Sequence, residues 1–158
     1  MPDTELTIEP GKHNLVITRV FDAPRDLVFK TVTDSSLIPQ WWGQSNLTTT
    51  VEKMEVKTGG VWRYVQRDPA GNEFAFNGVY HAVVPPELLI YTFEFEGMPN
   101  HVMLETVTFE EQDGKTRMID TPVFQTVEDR DAALASGMEQ EASESTDRFA
   151  EVLAKSEQ

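Results

Sequence analysis

Two carboxylates, Glu105 and Asp120, are the residues of this sequence best suited to chemistry. From Val102 to Glu110, the side chains of Met103, Glu105, Val107 and Phe109 alternate onto one face, and from Thr116 to Phe124 so do Met118, Asp120, Pro122 and Phe124. This is the period of half-buried strands. If those faces turn inward, both carboxyls sit among apolar side chains, where a carboxylate is costly unless paired or protonated. Such groups contact a ligand or exchange protons as acid and base. Equally, they pair with Arg63, Arg117 or a hydroxyl, and a slip of one residue in register turns them to solvent.

Other chemistry is sparse. The chain has no cysteine, which excludes disulfides, thiolate metal sites and a cysteine nucleophile. His13, His81 and His101 fall on different strands or strand ends, without an H-x-H or H-x-x-x-H spacing. We therefore expect no metal site and no cofactor. No G-x-S-x-G, Walker or G-x-G-x-x-G motif is present. Aromatic residues are plentiful. Trp41, Trp42, Trp62, Tyr80, Tyr91 and Phe93, with Tyr64, Phe74, Phe76 and Phe95, either fill a core or line a pocket. Of the adjacent pair Trp41-Trp42, one is expected to anchor in the core and the other at a rim.

These residues need a frame, and the patterning supplies one. His13–Phe21 alternates as a strand. Asp22-Ala23-Pro24 starts a helix in which Leu27, Val28, Thr31 and Val32 recur at helical spacing, and Asp34-Ser35-Ser36 caps a second short helix ending near Pro39. Strands follow at 47–56, 61–67, 73–84, 88–96, 102–110 and 116–124, separated by turn signals such as Asp68-Pro69-Ala70-Gly71-Asn72 and Asp113-Gly114. Short turns between successive strands make an antiparallel meander the economical topology. Thr126-Val127-Glu128-Asp129 and Ser136-Gly137-Met138-Glu139 read as capping boxes for two further helices. The last, from Gly137 to about Ala154, carries a stripe of Met138, Ala142, Ser145, Phe149 and Val152 or Leu153. The sheet is the only large apolar surface for it to lie on. Ala142 and Ser145 are small where bulk should fill the space over a curved sheet, so either the sheet's aromatics or a ligand fills it.

The chain of 158 residues suits one domain, 13–158, behind a flexible lead-in at 1–12. Its net charge of −14 and scattered basic residues disfavour nucleic acid and anionic membrane surfaces as partners. No apolar run approaches a membrane span, and Met1 to Gly11 lacks the apolar segment of a secretory signal. A cytoplasmic location is the expectation, as a monomer or homodimer.

The order strand, two short helices, meander, long terminal helix is that of the α+β helix-grip fold, here with an antiparallel sheet of six or seven strands. FDAPRDLVFKTVTD with the following WW pair, GGVWRY, GVYHAVVPPELLIYTFEF, ETVTFEEQDGKTRM and EDRDAALASGMEQ together resemble the START-like (SRPBCC) superfamily. Within it they are similar to the family named after the activator of a heat-shock chaperone ATPase, over about residues 13–155. Many of its members carry Gly-Trp where Glu141 and Ala142 stand here, so a bulky aromatic is missing from the groove. The resemblance implies a small apolar or amphipathic ligand held between sheet and helix. The residues expected to line that site are Trp41, Trp42, Trp62, Arg63, Tyr80, Tyr91, Phe93, Glu105, Asp120, Met138, Ala142 and Ser145. The family name implies an alternative, a chaperone-linked interaction module. A third reading is a cyclase- or hydrolase-like enzyme using Glu105 or Asp120.

Overall fold

A computed structural model describes residues 4–156. Strand β1 (Glu5–Thr7) and β2 (Val16–Phe21) precede two short helices, α1 (Arg25–Val32) and α2 (Ile38–Trp41). Six strands follow: β3 (Thr48–Met54), β4 (Val61–Arg67), β5 (Glu73–Val84), β6 (Leu88–Phe95), β7 (Val102–Gln112) and β8 (Lys115–Val123). Helices α3 (Val127–Ala135) and α4 (Met138–Ser156) complete the chain. All strands join one antiparallel sheet in the order β1-β2-β8-β7-β6-β5-β4-β3. Irregular pairing near Glu52 and His81 marks bulges, which bend a sheet and raise its twist.

Local chemistry accounts for the turns. Asp68 Oδ1 accepts from the Ala70 and Asn72 amides at 3.0 and 2.9 Å, and Gly71 supplies a φ of 88°. The side-chain bond from Asn72, with the backbone donors, holds the Asp68 carboxyl below its ordinary range. Asp113 and Gly114 both take positive φ, which suits the tight hairpin between β7 and β8. Thr126 caps α3 by accepting from the Asp129 amide at 3.0 Å.

Four expectations need correction. The sheet has eight strands, not six or seven. The added strand is β1, inside the segment expected to be a flexible lead-in; residues 1–3 of that segment lie outside the described residues. The second short helix does not end near Pro39: Asp34 accepts from the Ser36 amide, a turn follows, and the helix runs from Ile38 to Trp41 with Pro39 in its first turn. Ser136 does not cap the last helix. It closes α3, with its hydroxyl bonded back to the Ala132 carbonyl at 2.8 Å, and Gly137 (φ 95°) makes the break.

Side chains far along the chain hold the N-terminal segment. Arg130 on α3, 3% exposed, donates to the Glu9 carbonyl at 2.6 Å and the Asn14 carbonyl at 3.4 Å. Replacing Arg130 by Met leaves both carbonyls without this donor. Losing such partners costs about 1–3 kcal/mol. Arg130→Met should lower the melting temperature and speed amide exchange at Leu6 and Thr7, while amides of β6 and β7 keep their protection.

The core has two parts. Phe21, Val28, Phe29, Leu89, Val107, Phe109, Phe149 and Leu153 form one cluster, bringing α1 and α4 onto β2, β6 and β7. Ile38, Trp62, Tyr64 and Tyr80 form the other, under α2.

Candidate functional site

Members of both clusters line a cavity of about 270 Å³ between the sheet, α2 and the first half of α4. Small-molecule sites usually span about 300–1,000 Å³ and are mostly apolar with a few placed polar groups. The walls here are of that kind.

Strand parity builds the sheet wall. On β4, Trp62, Tyr64 and Gln66 face inward; on β6, Leu89, Tyr91 and Phe93 do. Trp62 lies opposite Gly78 on β5, where an added Cβ would come within 2.5 Å of the indole nitrogen and 1.8 Å of the Thr92 carbonyl. Gly78 thus lets the ring lie against the neighbouring strand. Tyr80 and Tyr91 are cross-strand partners with ring centroids 6.0 Å apart. Burial pushes the Tyr80 phenol up to about 12, and raises those of Tyr64 and Tyr91 too, so all three remain hydroxyl donors at neutral pH.

Both adjacent tryptophans reach the cavity. Trp41 meets Phe149 of α4 edge-on at 4.9 Å, and Trp42 turns to the sheet, 5.0 Å from Tyr64 and 5.2 Å from Phe76. The expected division into core anchor and rim does not hold, because the chain leaves α2 at Trp42 in an extended conformation (φ −74°, ψ 119°) and delivers the two rings to opposite walls.

α4 supplies the other wall with Met138, Ala142 and Ser145. Ser145 is small for a reason the sequence pattern hides: its hydroxyl donates to the Trp41 carbonyl at 3.0 Å and accepts from the Gly43 amide at 3.3 Å. Arg148 donates to the Gly43 carbonyl at 2.8 Å, and Glu144 accepts from the Ser45 amide at 2.5 Å. Together they strap residues 41–45 to the helix. Gly43 is required in that strap: its φ is 82°, and a Cβ there would stand 2.2 Å from Gln66 Nε2. Ala142 makes no such bond and leaves its share of the cavity open.

Arg63 does not belong to the site. With Trp62 and Tyr64 inward, parity puts it on the outer face, where it pairs with Glu52 and, through two bonds of 2.9 Å, with Glu96. That pairing holds the Glu96 carboxyl down to about 2. Arg117 is also exposed on the outer face, so neither arginine neutralises the two inner carboxyls.

Glu105 and Asp120 do face inward, and both line the cavity. Glu105, 8% exposed, lies opposite Tyr91; Asp120 lies opposite Val107 on one side and Ile17 on the other, which makes it a diagonal neighbour of Glu105. The two carboxyls influence each other, and Tyr91, the cross-strand partner of Glu105, influences it too. Asp120 Oδ1 is buried with no hydrogen-bond partner. Burial raises both above the ordinary carboxyl range, and the charge of Glu105 raises Asp120 further. Tyr91 and Asp120 oppose the rise at Glu105, but burial outweighs them. Arg19 lies on the same inner face, across from Met118, but its guanidinium turns to α4 and meets Asp147 at 2.6 Å. None of the ion pairs among the described residues includes Glu105 or Asp120.

The three histidines lie outside the cavity lining, and among the described residues no group of three or more His, Asp or Glu could hold a metal ion. No helix among them is long and apolar enough to cross a membrane. The lining also includes residues the sequence reading missed, among them Ile38, Gln66, Met103 and Met118. Parity with Trp62, Glu105 and Asp120 was the available signal for the last three.

The family model for activator of Hsp90 ATPase homolog 1-like proteins matches residues 22–154. The chain belongs to this family. Solved structures agree on the fold. A protein from Rhodobacter sphaeroides is 25% identical with a TM-score of 0.88, covering 97% of this chain and 99% of that one. Protein Ms6760 from Mycobacterium smegmatis is 24% identical with a TM-score of 0.86, covering 96% and 97%. A Staphylococcus epidermidis protein is 27% identical with a TM-score of 0.81, covering 95% and 94%. No curated protein matches the chain. Membership in the family accounts for the α+β architecture, in which a large antiparallel sheet carries a C-terminal helix.

Proposed function

We propose that this protein binds a small apolar or amphipathic molecule in the cavity between the sheet and α4, without transforming it. The supporting observation is the cavity itself, walled by Trp41, Trp42, Trp62, Tyr91 and Phe93 and left open at Ala142. A mostly apolar concavity with a few polar groups at one end orients a ligand by its polar part and holds it by its apolar part. None of the histidines lines the cavity, and there is no cysteine, so it holds neither nucleophile–base pairing that these residues would make.

N-phenyl-1-naphthylamine, a neutral probe that fluoresces when it leaves water, tests this reading. Fluorescence should rise saturably, with one probe per chain. A folded protein that produces no enhancement would rule the reading out.

A further inference from the structure

The floor of the cavity carries a feature that an apolar ligand alone does not explain. Glu105 and Asp120 are side by side in an apolar wall, and one Asp120 oxygen is buried with no partner. Buried carboxylates normally recover their lost hydration from a cation or several donors. Here no ion pair among the described residues reaches either carboxyl, and Arg19, on the same inner face, pairs with Asp147. The site therefore has acceptor oxygens to spare, and a cation beside them would favour their ionised form.

We propose that the ligand carries a protonated amine, seated against Glu105 and Asp120 at the cavity floor with its apolar body among the aromatic rings. The proposal rests on the cavity being a binding site. An ammonium brings up to three N–H donors and a positive charge, and the pair offers acceptors and, ionised by that charge, a negative partner. The ring of Tyr91 stands beside Glu105, and that of Trp62 is 6.3 Å beyond it. Such ring faces attract cations, an interaction strengthened where water is excluded. The chain's net charge of −14 also draws cations and repels carboxylate ligands. A ligand bearing a carboxylate or phosphate would find no cation paired with these carboxyls and would meet repulsion wherever they ionise, so it is disfavoured on the same grounds.

Three probes with one apolar body separate the possibilities: 2-naphthylmethylamine, 2-naphthylmethanol and 2-naphthoate, titrated calorimetrically at neutral pH. The amine should bind at least tenfold more tightly than the alcohol, including in high salt, and the carboxylate should bind weakest. In the double variant Glu105→Gln, Asp120→Asn the amine should fall to the affinity of the alcohol, whose own binding stays. Uptake of N-phenyl-1-naphthylamine by that variant shows that the cavity is intact. Equal binding of amine and alcohol by the native chain, or an amine preference that survives the double variant, overturns the proposal and leaves the cavity reading standing. Failure of all four probes overturns both.

Discussion

Replacing Phe149 by Ala should destabilise the protein by about 3–5 kcal/mol, the usual cost of deleting a buried aromatic side chain. Phe149 is 2% exposed and joins three parts of the fold. Its ring meets Phe21 of β2 at 5.0 Å and Trp41 of α2 at 4.9 Å, while its own backbone belongs to α4. Leu153 of α4 shares the same buried cluster, so the cavity left by Phe149 would lie within packed core between helix and sheet. For domains of this size each kcal/mol lowers the melting temperature by roughly 2–4 °C, so a fall of roughly 6–20 °C is expected. A loss under about 1 kcal/mol, far below that range, would mean that α4 is not docked as described.

The buried carboxyl pair should make stability depend on pH in an unusual direction. Because burial raises both groups, the folded state keeps protons that the unfolded chain releases near the ordinary carboxyl pKa of about 4. Their favourable contribution is complete below that value and is lost as pH rises through the raised folded values. Tyr91 on β6 and Tyr64 and Tyr80 on β4 and β5 remain neutral over that range, and Arg19 on β2 is paired with Asp147, so these groups do not mask the effect. Glu105→Gln with Asp120→Asn preserves shape and removes the charge. Between about pH 5 and pH 8 the native chain should lose about 1–3 kcal/mol relative to that variant, comparable to the cost of an unmatched buried polar group. Denaturant unfolding at the two pH values measures it. Parallel pH dependences would show that the pair is solvated or neutralised.

Much of this arrangement was legible because strands have a period of two. The alternation of Leu89, Tyr91 and Phe93, of Met103, Glu105 and Val107, and of Met118 and Asp120 grouped residues that share the inner face, but left open which face turns inward. The same rule argues against Arg63, which cannot share a face with its neighbour Trp62 within one regular strand. β1 was missed because Glu5–Thr7 is too short to show a period; it is paired at the edge of β2 and flanked by anchors at Thr4 and Glu9, bonded to Thr146 and Arg130. The role of Ser145 was also invisible, since its partner is a backbone carbonyl 104 residues away. Small residues on a helix face announce space, but not whether a neighbouring backbone already occupies it. Ser145 and Ala142 show both outcomes within one turn of α4.

Ala142 is therefore the position at which the central claim is most directly tested. A tryptophan side chain buries roughly 150–250 Å², enough to occupy much of an open cavity of this size. Titrating N-phenyl-1-naphthylamine into Ala142→Trp and the native chain, with melting curves recorded alongside, compares the two states of the site. If the cavity takes the ligand, affinity for the probe falls at least tenfold and the melting temperature holds or rises. If the probe binds as before and the melting temperature drops, by the about 1–3 kcal/mol expected of overpacking, the space is already filled and the binding account is contradicted.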